Sequence, residues 1–194
     1  MRPVLLWDVM GTLVHDPFFE EMPEFFGVTF QDLLKQLQHG PWIEFELGRR
    51  SEGEFLRDFF ADGRDFDHTG FVKVVREAYR WLPGMESLLA ELRGAGHTMH
   101  AFSNYPEWYR MIEDRLEVSR FASWSFVSCL TGLRKPDRAA YENVLRELRL
   151  SPDQCIFIDD RVVNCDAARD AGIHAIRFED ASAIRDALRE IGAR

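Results

Sequence analysis

Apolar residues along this chain follow two different spacings. Short, nearly unbroken runs fall at Val4–Asp8, Thr98–Ser103, Cys155–Asp159 and His174–Phe178, with a weaker one at Ser125–Leu130. A segment apolar on both of its pleat faces is buried on both sides, as strands of a parallel sheet are. Between the runs, apolar positions recur every three or four residues, which predicts helices over Met85–Arg93, Pro106–Leu116, Asp137–Leu148, Asn164–Ala171 and Ser182–Ile191. Gly94 and Gly96 close the first of these, Gly172 closes the fourth, and Lys135-Pro136-Asp137 opens the third. Strand and helix in alternation predict an α/β fold, a three-layer Rossmann-like parallel sheet with helices on both faces.

Residues 16–83 break the alternation. They are rich in Phe and acidic residues, carry no strand-like run of comparable strength, and return to the sheet pattern at Trp81-Leu82-Pro83-Gly84. The expected organisation is a core of residues 1–15 and 84–194 with a small helical cap, 16–83, inserted after the first strand. An insertion there sits over the carboxyl ends of the strands, where ligands bind in open α/β sheets. Phe18, Phe19, Phe25, Phe26, Trp42 and Phe45 make its first half strongly aromatic. Most of these rings are expected to form the insertion's own core. Trp42, in the acid-interleaved segment PWIEFE, is the candidate for stacking on a flat substrate ring.

Charge narrows the partners. A formal net charge of −9 leaves no general basic surface for nucleic acid or anionic lipid, and no apolar stretch has the length of a bilayer span. The three cysteines, Cys129, Cys155 and Cys165, are odd in number and lack metal-type spacing, which favours free thiols in a reducing compartment. The N-terminus runs straight into the first strand. The expectation is a cytoplasmic monomer or homodimer acting on a small phosphorylated metabolite, with no nucleic-acid or membrane partner.

The chemistry gathers where the strands end. Asp8 closes the first strand ahead of a Gly11-Thr12 turn, Ser103-Asn104 closes a later one, Lys135 precedes a helix, and Asp159-Asp160 closes a further strand. Each feature alone is weak. In a doubly wound sheet all four meet at one carboxyl edge, and together they supply displacement at phosphorus: a carboxylate that attacks, Mg²⁺ and a lysine that neutralise phosphoryl charge, and a hydroxyl that orients the oxygens. Adjacent carboxylates such as Asp159 and Asp160 also call for a cation or a hydrogen-bond network. Thr12, Asn104 and Trp42 are the candidate substrate contacts.

In order and spacing these motifs resemble the four motifs of the haloacid dehalogenase superfamily. That resemblance implies an aspartyl intermediate at Asp8. It implies Mg²⁺ held by Asp8, the backbone carbonyl of Met10 and Asp160, with Asp159 alongside and Asn164 where many members place a further acid. The stretches WDVMGTLVHDPFF, PWIEFELG, DGRDFD, HAFSNYPEWY, GLRKPD and CIFIDDR are similar to a group of plant plastid phosphatases that act on flavin mononucleotide.

One position departs from the superfamily pattern. Its phosphatases place a second Asp two residues after the nucleophile, where it protonates the leaving group and later activates water; this chain has Met10. General acid–base help is worth about 10²–10⁴ in rate. His15, Asp16, Glu44 and Glu46 are the candidate replacements. The alternatives are a catalytically weak relative that binds a phosphorylated or flavin ligand, and a dehalogenase-like hydrolase, which needs no leaving-group acid but has no use for the Asp159-Asp160 pair. A phosphonate hydrolase would need an activated cap lysine, and Lys35 and Lys73 lie in no context that would activate them.

Overall fold

The computed structural model describes residues 2–192. Five parallel strands, β1 (Val4–Trp7), β2 (Met99–Ser103), β3 (Ser123–Val127), β4 (Cys155–Asp159) and β5 (His174–Arg177), form one sheet in the order β3-β2-β1-β4-β5. The chain winds outward from β1 through β2 to β3, then crosses back to place β4 on β1's other side. β1 and β4 therefore flank the topological switch point, where the carboxyl ends of the strands open a crevice. Register aligns Trp7 with Ala101 on one side and Ile158 on the other, so Asp8 and Asp159 leave the sheet at the same level.

Helices α1 (Glu21–Phe25), α2 (Phe30–Gln36), α3 (Pro41–Glu46), α4 (Glu52–Arg57) and α5 (His68–Ala78) all fall between β1 and β2. The others are α6 (Met85–Gly94), α7 (Tyr109–Leu116), α8 (Ser128–Thr131), α9 (Arg138–Leu148), α10 (Val162–Asp170) and α11 (Ala181–Glu190). The period-two alternation of the central strand splits the core. Leu5 and Trp7 pack with Leu88, Leu89, Ile184 and Leu188 from α6 and α11. Leu6 turns the opposite way, to Tyr141 and Val144 of α9 and Cys165 and Ala168 of α10. Helices on both faces and an all-parallel sheet are the expected α/β architecture.

The weak fifth run ends early. β3 stops at Val127 and the chain turns into α8, so Ser128, Cys129 and Leu130 are helical rather than extended. The Ser128 hydroxyl explains the break. It accepts from the Tyr105 backbone N–H (2.9 Å) and donates to the Glu46 carbonyl (2.6 Å), tying the segment to both β2's exit and the insertion. Leu130 is left largely exposed.

Within the insertion the helices are short, and side-chain caps help define them: Thr29 accepts from the Asp32 N–H, Ser51 and Glu54 form a capping box, and Asp67 accepts from the Gly70 N–H. Aromatic rings fill the space between them. Phe26 meets Phe59, Phe60, Phe66 and Phe71 at centroid distances of 5.0–5.6 Å. The two ends of the insertion are held together at a narrow neck: Val14 bridges Trp81, the Leu82 N–H donates to Leu13 O (2.9 Å), and the His15 N–H donates to Arg80 O (2.9 Å).

Candidate active site

The Asp8 position is built by backbone first. The Asp8 N–H donates to Ile158 O (2.9 Å), continuing the β1–β4 ladder one residue past the strand. The chain then folds into a compact loop in which Val9 O accepts from the N–H groups of Thr12 (3.3 Å), Leu13 (2.8 Å) and Val14 (2.9 Å). Gly11 sits in the left-handed region, at φ +76°. A Cβ there would also come within 3.2 Å of Asp160 Oδ2. Conformation and space both demand glycine at this point.

Lys135 organises the charges. Its ammonium donates to Asp8 Oδ1 (2.8 Å) and Asp159 Oδ2 (2.6 Å) and lies over the rings of Phe102 and Phe157 at 5.2 and 5.1 Å. Only 1% of the residue is exposed. Burial alone would pull the ammonium down, but Asp8 and Asp159 outweigh it and hold its pKa above the ordinary value. Asp8, 7% exposed, is pushed up from 3.8 to about 7, first by burial and then by the charges of Asp159 and Asp160, against the opposing pull of Lys135. Burial and Asp159 raise Asp160 as well. Three carboxylates thus share one ammonium, and the site carries an excess of negative charge.

That excess fits a divalent cation. Carboxylate oxygens of Asp8, Asp159 and Asp160 lie within 4.8 Å of one another, a hard oxygen donor set of the kind Mg²⁺ prefers. Asp160 Oδ1 is buried with no hydrogen-bond partner, and so is the hydroxyl of Ser103, 1% exposed at the end of β2. A buried polar atom without a partner is costly, so both atoms leave room for a ligand, the Asp160 oxygen for a cation and the Ser103 hydroxyl for a hydrogen-bonding oxygen.

Several residues expected to touch substrate do other work. Thr12 is fully buried; its hydroxyl donates to Asp8 Oδ2 (3.3 Å) and accepts from the Asp160 N–H (3.2 Å), so it ties Asp8 to Asp160. Asn104 is spent on the Lys135 backbone, Nδ2 donating to Lys135 O (2.7 Å) and Oδ1 accepting from the Lys135 N–H (2.8 Å). Trp42 packs edge-on against Phe45, Phe55, Tyr105 and Trp108, with centroids 5.5–6.2 Å away, as part of the aromatic core. Asp159 lies in the carboxylate cluster, yet both its oxygens already accept: Oδ1 from the Arg161 N–H (2.8 Å) and Asn164 Nδ2 (3.1 Å), Oδ2 from Lys135 and from Asn164 Nδ2 (2.9 Å). Asp159 therefore anchors Lys135 as well as lying in the carboxylate cluster, and Asn164 holds it in place.

Sequence reasoning missed the contacts that clamp the insertion to this edge. Glu46, buried at the end of α3, pairs with Arg134 (3.0 Å), the residue before Lys135. Glu52 accepts from Trp108 Nε1 (2.5 Å) and the Tyr79 hydroxyl meets that of Tyr105 (2.8 Å). The signal was faint: a Glu inside an apolar segment, 88 positions from its partner.

Asp8 and the Asp159-Asp160 pair at the switch point, bridged by a buried lysine, define a haloacid dehalogenase-type hydrolase, and the chain belongs to the family of haloacid dehalogenase-like hydrolases, which matches it over residues 3–172. It is 45% identical over 190 residues to flavin mononucleotide hydrolase 1 of Arabidopsis thaliana, a chloroplastic protein, across 98% of this chain and 78% of that one. A sesquiterpene phosphatase of Aspergillus oryzae is 35% identical over 173 residues, 84% of this chain and 85% of its own. A family enzyme of Bacteroides thetaiotaomicron, solved with magnesium and inorganic phosphate, shares the fold at TM-score 0.76 and 20% identity, covering 95% of this chain and 99% of that one. L-2-haloacid dehalogenase of Xanthobacter autotrophicus does so at TM-score 0.67 and 14% identity, covering 97% of this chain and 83% of that one.

Proposed function

We propose that this hydrolase is a Mg²⁺-dependent phosphomonoesterase that works through an aspartyl-phosphate at Asp8. The observation that carries the reading is the Asp8–Lys135–Asp159 network with the partnerless Asp160 oxygen beside it. A dehalogenase has no use for a magnesium cluster, whereas phosphoryl transfer needs both the cation and the lysine to offset charge on the phosphate oxygens.

Asp8 and Asp160, with the Met10 carbonyl, would hold the ion. When bound, Mg²⁺ supplies charge neutralisation at the phosphoryl group and keeps Asp8 ionised against its burial. Asp8 Oδ attacks phosphorus and the ester oxygen leaves. Lys135, positioned by Asp159 and by Asn104, neutralises the phosphoryl oxygens, and the Ser103 hydroxyl donates to one of them. The helical insertion, which follows β1 directly, would act as the cap; Asp8 is nearly sealed from bulk water, which strengthens the charge interactions around it.

Flavin mononucleotide is the substrate we favour, because the relative named for that activity matches nearly the whole chain, insertion included. The unpaired thiols of Cys129, Cys155 and Cys165 suit a reducing compartment such as the cytoplasm, and no helix among the described residues is long and apolar enough to cross a membrane. The test is phosphate release from flavin mononucleotide, sugar phosphates and p-nitrophenyl phosphate, with Mg²⁺ or EDTA, wild type beside Asp8→Asn. Magnesium-dependent release from one natural ester, abolished in Asp8→Asn, supports the reading. Tight binding of flavin mononucleotide without release from any ester would instead make the protein a ligand binder limited by Met10.

A further inference from the structure

Glu46 is one of the acids that could stand in for the one missing at Met10, yet its carboxylate is already committed. The residue is 3% exposed, at the end of α3, and its Oε1 accepts from Arg134 Nε at 3.0 Å. A buried ion pair is costly to desolvate, and apolar side chains of similar size often stabilise a fold as well or better. In an insertion otherwise filled with aromatic rings, stability alone does not account for a charge at this position.

The other contacts of Glu46 supply a different reason. Its backbone carbonyl accepts from the Ser128 hydroxyl (2.6 Å), and that hydroxyl accepts from the Tyr105 N–H (2.9 Å). Asn104, next to Tyr105, holds the Lys135 backbone at both its N–H (2.8 Å) and its carbonyl (2.7 Å). Lys135 follows Arg134, whose side chain returns to Glu46. Hydrogen bonds and chain thus close a ring through α3 of the insertion, the start of α8, the exit of β2 and the lysine loop. Glu46 is the join, gripping with its main chain on one side and its carboxylate on the other. Two residues on, Gly48 sets the same turn against the core at backbone distance: it sits at φ +70°, and a Cβ there would fall 2.5 Å from Cys129 O. The Lys135 loop is therefore held twice, by Asn104 from the core and by Glu46, through Arg134, from the insertion.

We propose that Glu46 is a positioning residue for phosphoryl transfer, which through Arg134 makes docking of α3 on the core a condition for correct placement of the Lys135 ammonium; this rests on the phosphatase reading above. Glu46 touches neither the substrate nor the cation in this role. It keeps the ammonium at its 2.8 Å from Asp8 and 2.6 Å from Asp159. Removing it leaves Asn104 in place, so the lysine stays at the site but off its productive position, and ester binding survives better than turnover.

The test measures phosphate release from flavin mononucleotide and p-nitrophenyl phosphate by wild type, Asp8→Asn, Glu46→Gln, Glu46→Ala, Arg134→Met and the double variant Glu46→Ala/Arg134→Met. Urea unfolding of each fixes conditions in which it is folded. Wild-type release that is abolished in Asp8→Asn establishes the phosphatase, and the other variants then decide the role of Glu46. The expected result is kcat lower by about 10–10²-fold in Glu46→Ala and in Arg134→Met on both esters, the effect of a misplacement of about 1 Å, with KM nearly unchanged. Glu46→Gln keeps an oxygen for Arg134 Nε and should recover most of the loss. The double variant should lose no more than either single one, because both break the same link. It leaves no buried charge without its partner, so it decides the matter where a single variant fails to fold. Phe26→Ala, in the aromatic core of the insertion, should lose stability and keep its kcat. A folded Glu46→Ala or double variant with wild-type kcat, or one with a raised KM and kcat intact, would overturn the positioning role and leave the phosphatase standing. So would a loss of kcat in Phe26→Ala equal to that in Glu46→Ala, since weakening the insertion would then be enough. Release from neither ester in wild type would overturn both.

Discussion

Asn104→Ala separates a residue that holds Lys135 from one that touches substrate. The substitution strips two hydrogen bonds from the Lys135 backbone, one of 2.8 Å to its N–H and one of 2.7 Å to its carbonyl. A made hydrogen bond contributes about 0.5–1.5 kcal/mol net, and a buried group left unpaired costs about 1–3 kcal/mol. Asn104 is half-buried, so water replaces part of what is lost, and the expected destabilisation is about 2–3 kcal/mol. The catalytic effect follows from position. The ammonium meets Asp8 and Asp159 at 2.8 and 2.6 Å, and displacement by about 1 Å is enough to cost on the order of 10²-fold. Urea unfolding and steady-state kinetics on one ester read both effects. The variant should unfold at lower urea with kcat down about 10–10²-fold and KM nearly unchanged. A raised KM with kcat and stability intact would refute the reasoning and return Asn104 to the substrate.

Trp42→Ala should cost about 2–3 kcal/mol in thermal or urea unfolding, because its four edge-on aromatic contacts are structural and it is only partly buried; a stable variant with a raised KM would make Trp42 a substrate contact. Gly11→Ala forces a Cβ at φ +76° to within 3.2 Å of Asp160 Oδ2, so calorimetric Mg²⁺ affinity should fall by about tenfold or more, beyond any loss of stability. Mg²⁺ at 100 times its Kd should stabilise the protein by about 2.7 kcal/mol, reversed by EDTA. An unchanged Tm would sink the cation site.

The sheet was legible because burial on both faces writes itself as unbroken apolar runs. Four of the five strands fall within a residue or two of the expected spans, and the helices between them follow the three-to-four spacing. β3 was overextended, since the alternation of Ser128, Cys129 and Leu130 says nothing of a hydroxyl that bonds across two other segments. At the site, sequence order brought Asp8, Ser103, Lys135 and Asp159-Asp160 to one edge, as the structure has them. What it could not supply was the division of labour. Asn104, Thr12 and Asp159 have the chemistry of ligand contacts, and only their hydrogen-bond partners show them holding other residues in place. Glu46 and Arg134 were invisible because a pair joined across the fold leaves no local pattern.

The neck that joins Val14 to Trp81 divides the molecule into two units of unequal persistence. β1 is the middle strand, paired on both sides, so the amides around Asp8 should exchange with solvent only when the whole sheet unfolds. Beyond the neck, α1 to α4 run five to seven residues each, too short to persist without their packing, and they should exchange through smaller, separate openings. On the phosphatase reading proposed above, a partly opened molecule would then keep its grip on inorganic phosphate after losing its hold on the organic part of an ester. Product and substrate would be released by different motions, and the lifetime of the open form, rather than the chemistry at Asp8, would set how quickly a bulky ester gets in.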